Sequence, residues 1–164
     1  MQLFLCKLQP SNLSMALLEK QLEVRTSTIP NSGMGLFTNE DIPKGSKVIE
    51  YKGRITTWKE ADKDEGRNAY LFRVKQYHTI DARPYKKALA RYANDANGFA
   101  KIEGLRNNCV YIIEGLRVFV ESVKDIPAGS EIFVDYGKEY WKIMKENIRL
   151  EKKAEKDRAK KTAK

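Results

Sequence analysis

The stretch GSEIFVDYG, residues 129–137, decides the fold of this chain of 164 residues. It follows the turn residues Pro127 and Ala128, and its apolar run predicts a short buried strand. Tyr136 closes that run, and Tyr140 and Trp141 follow it closely. Aromatic side chains gathered at a strand end are typical of a lid over the core or of a binding-site wall. The stretch by itself leaves both interpretations open.

The residues before this stretch predict short strands separated by turns. Glu114-Gly115 lies between two apolar runs and is a compact hairpin signal. Helices are few: one or two turns over residues 57–62, a helix from Pro84, and a last helix from Lys138. The other strands are predicted at residues 22–26, 47–51, 70–74, 78–82, 109–113 and 116–121. The predicted fold class is therefore mainly β, with short inserted helices.

The composition indicates an intracellular protein. Hydrophobic residues make up 41% of the chain, and no apolar run approaches the roughly 20 residues that span a bilayer. The apolar opening, residues 1–6, is too short for a secretory signal and has no basic residues before it. We therefore expect a cytoplasmic location, or a nuclear one in a eukaryotic cell. Cys6 and Cys109 are the only cysteines, too few for an all-cysteine zinc site, and His78 is the only histidine. No structural metal is therefore expected.

Positive charge is concentrated at the C-terminal end of the sequence. The formal net charge is +9, and residues 142–164 hold ten lysine or arginine residues against four acidic ones, a net of +6. No aromatic residues alternate with these charges, which favours a solvated tail over a nucleic-acid surface. The expected organisation is an N-terminal segment, residues 1–21, helical if Ser11 caps it, followed by a domain over residues 22–141 and the basic tail.

Two further motifs hold residues suited to ligand binding. In SGMGLF, residues 32–37, the Gly-x-Gly permits positive φ and a close approach of the backbone to a ligand, although tight turns use the same residues. LARYAND, residues 89–95, precedes the run NNC at residues 107–109. The amide of Asn94 offers donors and an acceptor to a zwitterionic ligand. Asn94 and Asp95 equally suit a helix end, so neither motif decides the function alone.

In this order and spacing, the three motifs resemble the SET domain of protein lysine methyltransferases. The loop at residues 32–37 resembles the first cofactor loop of that family. RYAND and the later Asn-Cys resemble its Arg-Phe-x-Asn-His and Asn-Cys elements, and residues 126–136 are close to its final signature. Residues 137–141 are especially similar to short stand-alone viral and bacterial SET proteins. The resemblance covers residues 22–141, which is most of the chain.

Three features depart from the family pattern. Asp95 stands where the family usually has histidine, and an extra segment is inserted between Asn94 and Asn108. The sequence holds no cysteine-rich post-SET segment, so the helix from Lys138 is expected to close the site. The replacement at Asp95 motivates an alternative function, a catalytically weak SET fold that binds a peptide or a cofactor.

The resemblance implies a fold of small β-sheets with a threaded C-terminal segment. It also implies transfer of methyl groups from S-adenosylmethionine to the amine of a protein lysine, without a metal. Tyr136 is implied as the central catalytic residue, which orients that amine. The implied catalytic residues are Tyr136, Tyr70 and Tyr140, and the implied channel residues are Tyr70, Val134 and Tyr140. The implied cofactor-binding residues are Gly33, Met34, Gly35, Arg91, Asn94, Asp95 and Trp141.

The resemblance also bears on the product and on the partners. Val134 lies two positions before the final tyrosine, where the family tunes how many methyl groups are added. Because valine is small and has no hydroxyl, we expect di- or trimethylation. The acceptor is expected to be a histone, a histone-like protein or a ribosomal protein. No membrane partner is expected, and nucleic acid only through the basic tail.

Overall fold

The structure is a computed structural model that describes residues 17–61, 63, 68–98, 100 and 102–162. Most of the helix expected after Ser11 falls on residues 1–16, outside the described residues, and its expected end at residues 17–18 is not helical. A 3-10 turn, Glu19–Gln21, leads directly into the first strand. Within the described ranges, no helix has the length and apolar character needed to cross a membrane.

Nine short strands in the described part of the chain form three antiparallel sheets of three strands each. The strands are β1 Leu22–Thr26, β2 Met34–Thr38, β3 Lys47–Glu50, β4 Arg54–Thr56, β5 Leu71–Lys75, β6 His78–Asp81, β7 Cys109–Glu114, β8 Arg117–Ser122 and β9 Glu131–Ile132. The first sheet has the order β1-β2-β9, the second β3-β8-β7 and the third β4-β6-β5. The helices are α1 Trp58–Ala61 and α2 Lys138–Thr162. The arrangement confirms the predicted mainly β class.

The predicted hairpin around Glu114 and Gly115 is confirmed. Strands β7 and β8 pair along their whole length, and Glu114 pairs with Arg117 across the turn. Gly115 has a φ of 63°, a conformation that glycine adopts without steric cost in tight hairpin turns.

The first predicted helix forms as one turn, because Thr57 and Glu60 cap it reciprocally. The Thr57 hydroxyl accepts the N–H of Glu60, and the Glu60 carboxylate accepts the N–H of Thr57, both at 3.3 Å. This pattern is a capping box, in which two backbone donors at the helix start are satisfied at once.

The helix predicted from Pro84 is wrong. The chain makes turns there, and only Leu89–Tyr92 forms a 3-10 helix. Forming one helical turn fixes several backbone dihedrals and gains only one hydrogen bond. A short helix is therefore stable only when one of its faces packs against the rest of the protein. Tyr85, beside Pro84, is 47% exposed and does not supply such a face. The segment therefore does not form the α-helix that its 3.6-residue period predicts.

The threading that the resemblance implied has a clear counterpart. The segment after β9 runs between the two ends of the connection from Asn94 to Cys109. The N–H of Val134 donates to the carbonyl of Asn94 at 2.8 Å, and the N–H of Cys109 donates to that of Phe133 at 2.9 Å. This crossing brings residues 133–141 against the 94–98 loop despite their separation in sequence.

The core lies where the three sheets meet. Its fully buried side chains are aliphatic, including Leu36, Val48, Val118 and Ile132. Each such side chain contributes roughly 1.5–3 kcal/mol on burial. Cys109 belongs to the same core, and burial raises the pKa of its thiol to about 12. It therefore behaves as a small apolar residue.

Candidate active site

A cavity of about 720 Å³ opens where β2, β5 and β7 approach the start of α2. It collects residues from all three sequence motifs and from the aromatic strand β5. Its walls include Gly33, Met34, Tyr70, Arg91, Asn94, Asp95, Tyr136, Tyr140 and Trp141. Nine of the eleven residues predicted for the site therefore border one cavity, while Gly35 and Val134 do not.

Tyr136 is held firmly within this cavity. Its hydroxyl donates to the carbonyl of Ala93 at 2.7 Å. Its ring lies edge-on to Tyr140 with centroids 4.8 Å apart, and stacks on Trp141 at 5.9 Å. Burial, and secondly the neighbouring phenol of Tyr140, raises the pKa of Tyr136 well above its usual value of 10.0. The side chain is therefore a protonated phenol with a fixed oxygen.

Asp95 is buried, 4% exposed, and its carboxylate accepts four N–H groups. One oxygen accepts the indole N–H of Trp141 at 2.7 Å and the backbone N–H of Tyr136 at 2.9 Å. The other accepts the backbone N–H of Asn97 at 2.8 Å and the side-chain amide of Asn107 at 2.9 Å. The carboxylate is thus satisfied by protein donors, which offset the cost of burying its charge.

Asn94 ties the glycine loop to strand β9. Its amide nitrogen donates to the carbonyl of Met34 at 3.0 Å and to the carboxylate of Glu131 at 3.1 Å. Glu131 also accepts the backbone N–H of Thr28 at 2.7 Å, so it has a structural role beneath the loop. A Cβ at Gly35 would overlap the Glu131 carboxylate, so Gly35 packs under the loop while Gly33 and Met34 face the cavity.

Arg91 has a bracing role in the wall. Its guanidinium donates to the carbonyls of Ala82 and Arg83 at 3.0 and 2.8 Å. It also lies over the ring of Tyr70, 4.0 Å from the centroid. A cation stacked on an aromatic face restrains both groups, so Arg91 fixes Tyr70 at the edge of the cavity.

Sequence reasoning missed an aromatic cluster on the opposite wall. Tyr51, Phe72 and Tyr111 line the cavity, and their ring centroids lie 5.0–6.0 Å apart. The hydroxyl of Tyr51 donates to the carbonyl of Tyr70 at 3.0 Å. Each of these three residues lies in or beside a strand. The sequence does not distinguish a strand aromatic that faces the core from one that faces a ligand. The one available signal was the number of tyrosines in a short chain.

Val134 does not border the cavity. Its side chain is 0% exposed and packs in the main core. Its backbone is bonded to Asn94 and bridges to Cys109 on its other side. The structure therefore gives no support to a direct contact between Val134 and a ligand.

A comparison with known protein families identifies the family of the chain. The SET domain family matches residues 33–137, which is more than half of the chain. The chain belongs to the SET-domain family. The matched range begins at the glycine loop and ends just beyond Tyr136, so this SET domain contains most of the cavity wall.

The relatives of this SET domain include much larger proteins. A histone-lysine N-methyltransferase EZH2 of Chaetomium thermophilum is 31% identical over 144 residues, 79% of this chain and 9% of that protein. A histone-lysine N-methyltransferase EZ1 of Zea mays is 30% identical over 127 residues, 73% of this chain and 13% of that protein. The chain thus spans a small fraction of these relatives. The expected closeness to short viral and bacterial SET proteins is not confirmed.

A solved structure gives the same result for the fold. It is a humanized mutant of the Chaetomium thermophilum Polycomb Repressive Complex 2 bound to the inhibitor GSK126. The match has a TM-score of 0.57 and 31% identity, and covers 71% of this chain and 15% of that one. The three small sheets and the crossing segment are therefore those of a SET domain.

Proposed function

We propose that this SET domain transfers methyl groups from S-adenosylmethionine to the side-chain amine of lysine in a protein substrate. The observation that carries the proposal is the position of Tyr136. Its fixed phenol oxygen lies in a cavity whose rim includes the Gly33–Met34 loop and whose walls include Tyr70 and Tyr140. Family membership and the names of the relatives support the same reaction.

The residues present fit S-adenosylmethionine. A Cβ at Gly35 would overlap Glu131, so glycine there lets the loop pack closely while Gly33 and Met34 stay at the rim. Asn94 and Asp95 add polar groups to walls that are otherwise largely aromatic, a combination typical of small-molecule sites. Gly33, Met34, Asn94 and Trp141 would hold the molecule. When bound, it supplies an electrophilic methyl group on a cationic sulfur.

The lysine amine must lose its proton before it can attack. Free lysine has a pKa of about 10.4, and both burial and a nearby positive charge lower it. Tyr70 and Tyr140 border the same cavity as Tyr136. Their aromatic faces suit both the aliphatic stem of lysine and its methylated ammonium product.

Tyr136 orients the amine and does not act as a base. Its raised pKa keeps the phenol protonated at neutral pH. The oxygen, fixed through the bond to Ala93, can accept an N–H of the amine and a weak C–H contact from the polarised methyl group. Positioning of the nitrogen in line with the carbon–sulfur bond then supplies the rate increase. The proton that the lysine ammonium loses before the attack passes to water.

A labelled-methyl assay tests the proposal. Wild-type chain and Tyr136→Phe are incubated with S-adenosylmethionine and with histones or ribosomal proteins as separate acceptors. Labelled lysine in one acceptor with the wild type, and far less with the variant, is the expected result. The histone names of the relatives make histone or a histone-like protein our first proposed acceptor, and hence the nucleus the proposed location in a eukaryotic cell.

The alternative, a binding module without turnover, makes a different prediction. Asp95 motivated that alternative, yet its carboxylate is satisfied and holds Tyr136 in place, which favours an active site. Cofactor binding by calorimetry without label transfer to any acceptor class would support the binding module. Binding with transfer would support the enzyme.

A further inference from the structure

The carboxylate of Asp95 joins three separate parts of the chain. Asn97 belongs to its own loop, Asn107 lies at the far end of the inserted segment, and Tyr136 and Trp141 lie where strand β9 gives way to α2. All four partners are N–H donors. The four contacts, at 2.7–2.9 Å, lie in the range of charge-assisted hydrogen bonds.

A carboxylate suits this position better than the alternatives. The two ionised oxygens of aspartate accept up to four hydrogen bonds and donate none. Neutral histidine has one acceptor nitrogen, and asparagine has one acceptor oxygen together with an NH2 group. Neither could accept all four N–H groups. The replacement of the family's histidine thus matches the donors that surround residue 95.

The indole of Trp141 is the key donor, because it belongs to α2. The indole nitrogen is a hydrogen-bond donor only, and its N–H donates to Asp95. Gly98 lies so close to the same ring that a Cβ there would overlap the indole. Trp141 in turn stacks on Tyr136 and meets Tyr140 edge-on at 5.1 Å. The first turn of α2 is therefore seated on the 95–98 loop through one side chain.

We propose that Asp95 is a positioning residue that fixes Trp141, and through it the first turn of α2, as a wall of the active-site cavity. In this SET domain, the hydrogen bond from Trp141 to Asp95 holds the side of the cavity on which Tyr140 and Trp141 lie. The consequence for cofactor binding rests on the proposed function. The hydrogen bond itself does not, so the two can be tested apart.

Hydrogen exchange of the indole N–H groups, followed by NMR on the full chain without ligand, tests the bond directly. The chain has two tryptophans, so Trp58→Phe assigns both signals. A hydrogen bond to a charged group predicts exchange slower by about tenfold or more for Trp141 than for Trp58. Asp95→Asn should reduce the difference, because asparagine keeps one acceptor oxygen for the four donors. Equal exchange of the two indoles in the wild type would overturn the proposal.

A double-mutant cycle tests whether Asp95 acts through Trp141. The affinity for S-adenosylhomocysteine is measured by calorimetry for Asp95→Asn, Trp141→Phe and the double variant. We expect about a tenfold loss for each single variant, and no further loss in the double variant, because residues that share one interaction are not additive. A double variant whose loss equals the product of the single losses would contradict the mechanism.

A control variant and a second readout complete the test. Asp41→Asn is the matched control, because Asp41 also accepts a backbone N–H, from Ala128 at 2.8 Å, on the exposed surface. It should leave both exchange and affinity unchanged. If Asp95→Asn does not fold, Trp141→Phe alone decides: KM for S-adenosylmethionine should rise more than kcat falls, and an unchanged KM would refute the role. Failure of the wild type to bind S-adenosylhomocysteine would count against the proposed function, while indole exchange would still decide the bond.

Discussion

The hydroxyl of Tyr136 donates to the backbone carbonyl of Ala93 at 2.7 Å, so the phenol oxygen is fixed by the residue that directly precedes Asn94. The loop that approaches the cavity and the tyrosine that faces it are joined by this hydrogen bond and by the one from the Tyr136 N–H to Asp95. Any motion of the 93–95 segment moves the phenol with it. The first two predictions follow from this link.

Tyr136→Phe should separate catalysis from binding. The variant keeps the ring contacts with Tyr140 and Trp141 and loses one oxygen. We expect methyl transfer to fall about 100-fold, as for other preorganised active-site hydrogen bonds, while affinity for S-adenosylhomocysteine changes less than about threefold. Single-turnover rates and calorimetry would measure the two effects. A variant that transfers methyl groups at the wild-type rate would disprove the assigned role.

The pH dependence of transfer should follow the lysine and not the tyrosine. Burial raises the pKa of Tyr136, so its neutral phenol persists below that raised value and no activity is lost to its ionisation up to about pH 10. The rate at subsaturating acceptor should rise with pH as the lysine amine deprotonates. Tyr136→Phe should show the same profile at a lower level. A rise present in the wild type and absent from the variant would mean that the phenol titrates.

Asp81 should contribute stability that disappears in acid. Burial alone would raise its pKa, but donors from Asn68, Arg83 and Arg54, each at 3.0 Å, together lower it. A lowered pKa in the folded state means that the stability is present above the unfolded value, about 3.9, and is lost as the pH falls through the folded value. Asp81→Asn should therefore cost roughly 1–3 kcal/mol at pH 7.

Urea unfolding at pH 7 and at pH 3 would check this sign. The difference between wild type and Asp81→Asn should shrink at the lower pH. Asp125→Asn is the control, since Asp125 accepts the N–H of Lys44 on the exposed surface. An unfolding difference that grows in acid would contradict the lowered pKa.

Val134→Tyr should destabilise the protein. The sequence predicts that this change shifts the product toward monomethyl-lysine. Because Val134 is completely buried in the core, a phenol ring there overpacks it, at a cost of roughly 1–3 kcal/mol or more. Thermal unfolding should show a lower Tm for Val134→Tyr, and a smaller decrease for Val134→Ile. An unchanged Tm together with a changed product in mass spectra would support the prediction that Val134 lines the lysine channel.

Truncation after Leu150 should leave the fold intact. Helix α2 continues to Thr162, yet residues 149–159 are exposed. Loss of an exposed helical extension removes little buried surface, so Tm should change by less than about 2 °C. The truncated chain should also bind acidic partners less tightly at low salt, with the difference fading as salt rises. A large drop in Tm would reveal packing by the extension.

The sequence predicted the residues whose chemistry depends on local motifs. A few neighbouring positions in the sequence indicate Tyr136, Asn94 and the Gly33 loop. The turn residues Glu114 and Gly115 likewise indicate their own hairpin. The bond between Asp95 and Asn107 could not be foreseen, because it bridges an inserted segment. Strand aromatics such as Tyr111 were missed because period-two alternation does not distinguish a core from a cavity.

The crossing of residues 133–134 between the two ends of the Asn94–Cys109 connection also orders events during synthesis. That connection leaves the ribosome before the segment that must lie within it, and the active-site tyrosine comes later still. Contacts between positions so distant in sequence slow folding. A nascent chain lacking residues 133–141 holds the glycine loop and Asn94 without the Tyr136, Tyr140 and Trp141 side of the cavity, so the proposed methyl transfer requires this last segment to be in place.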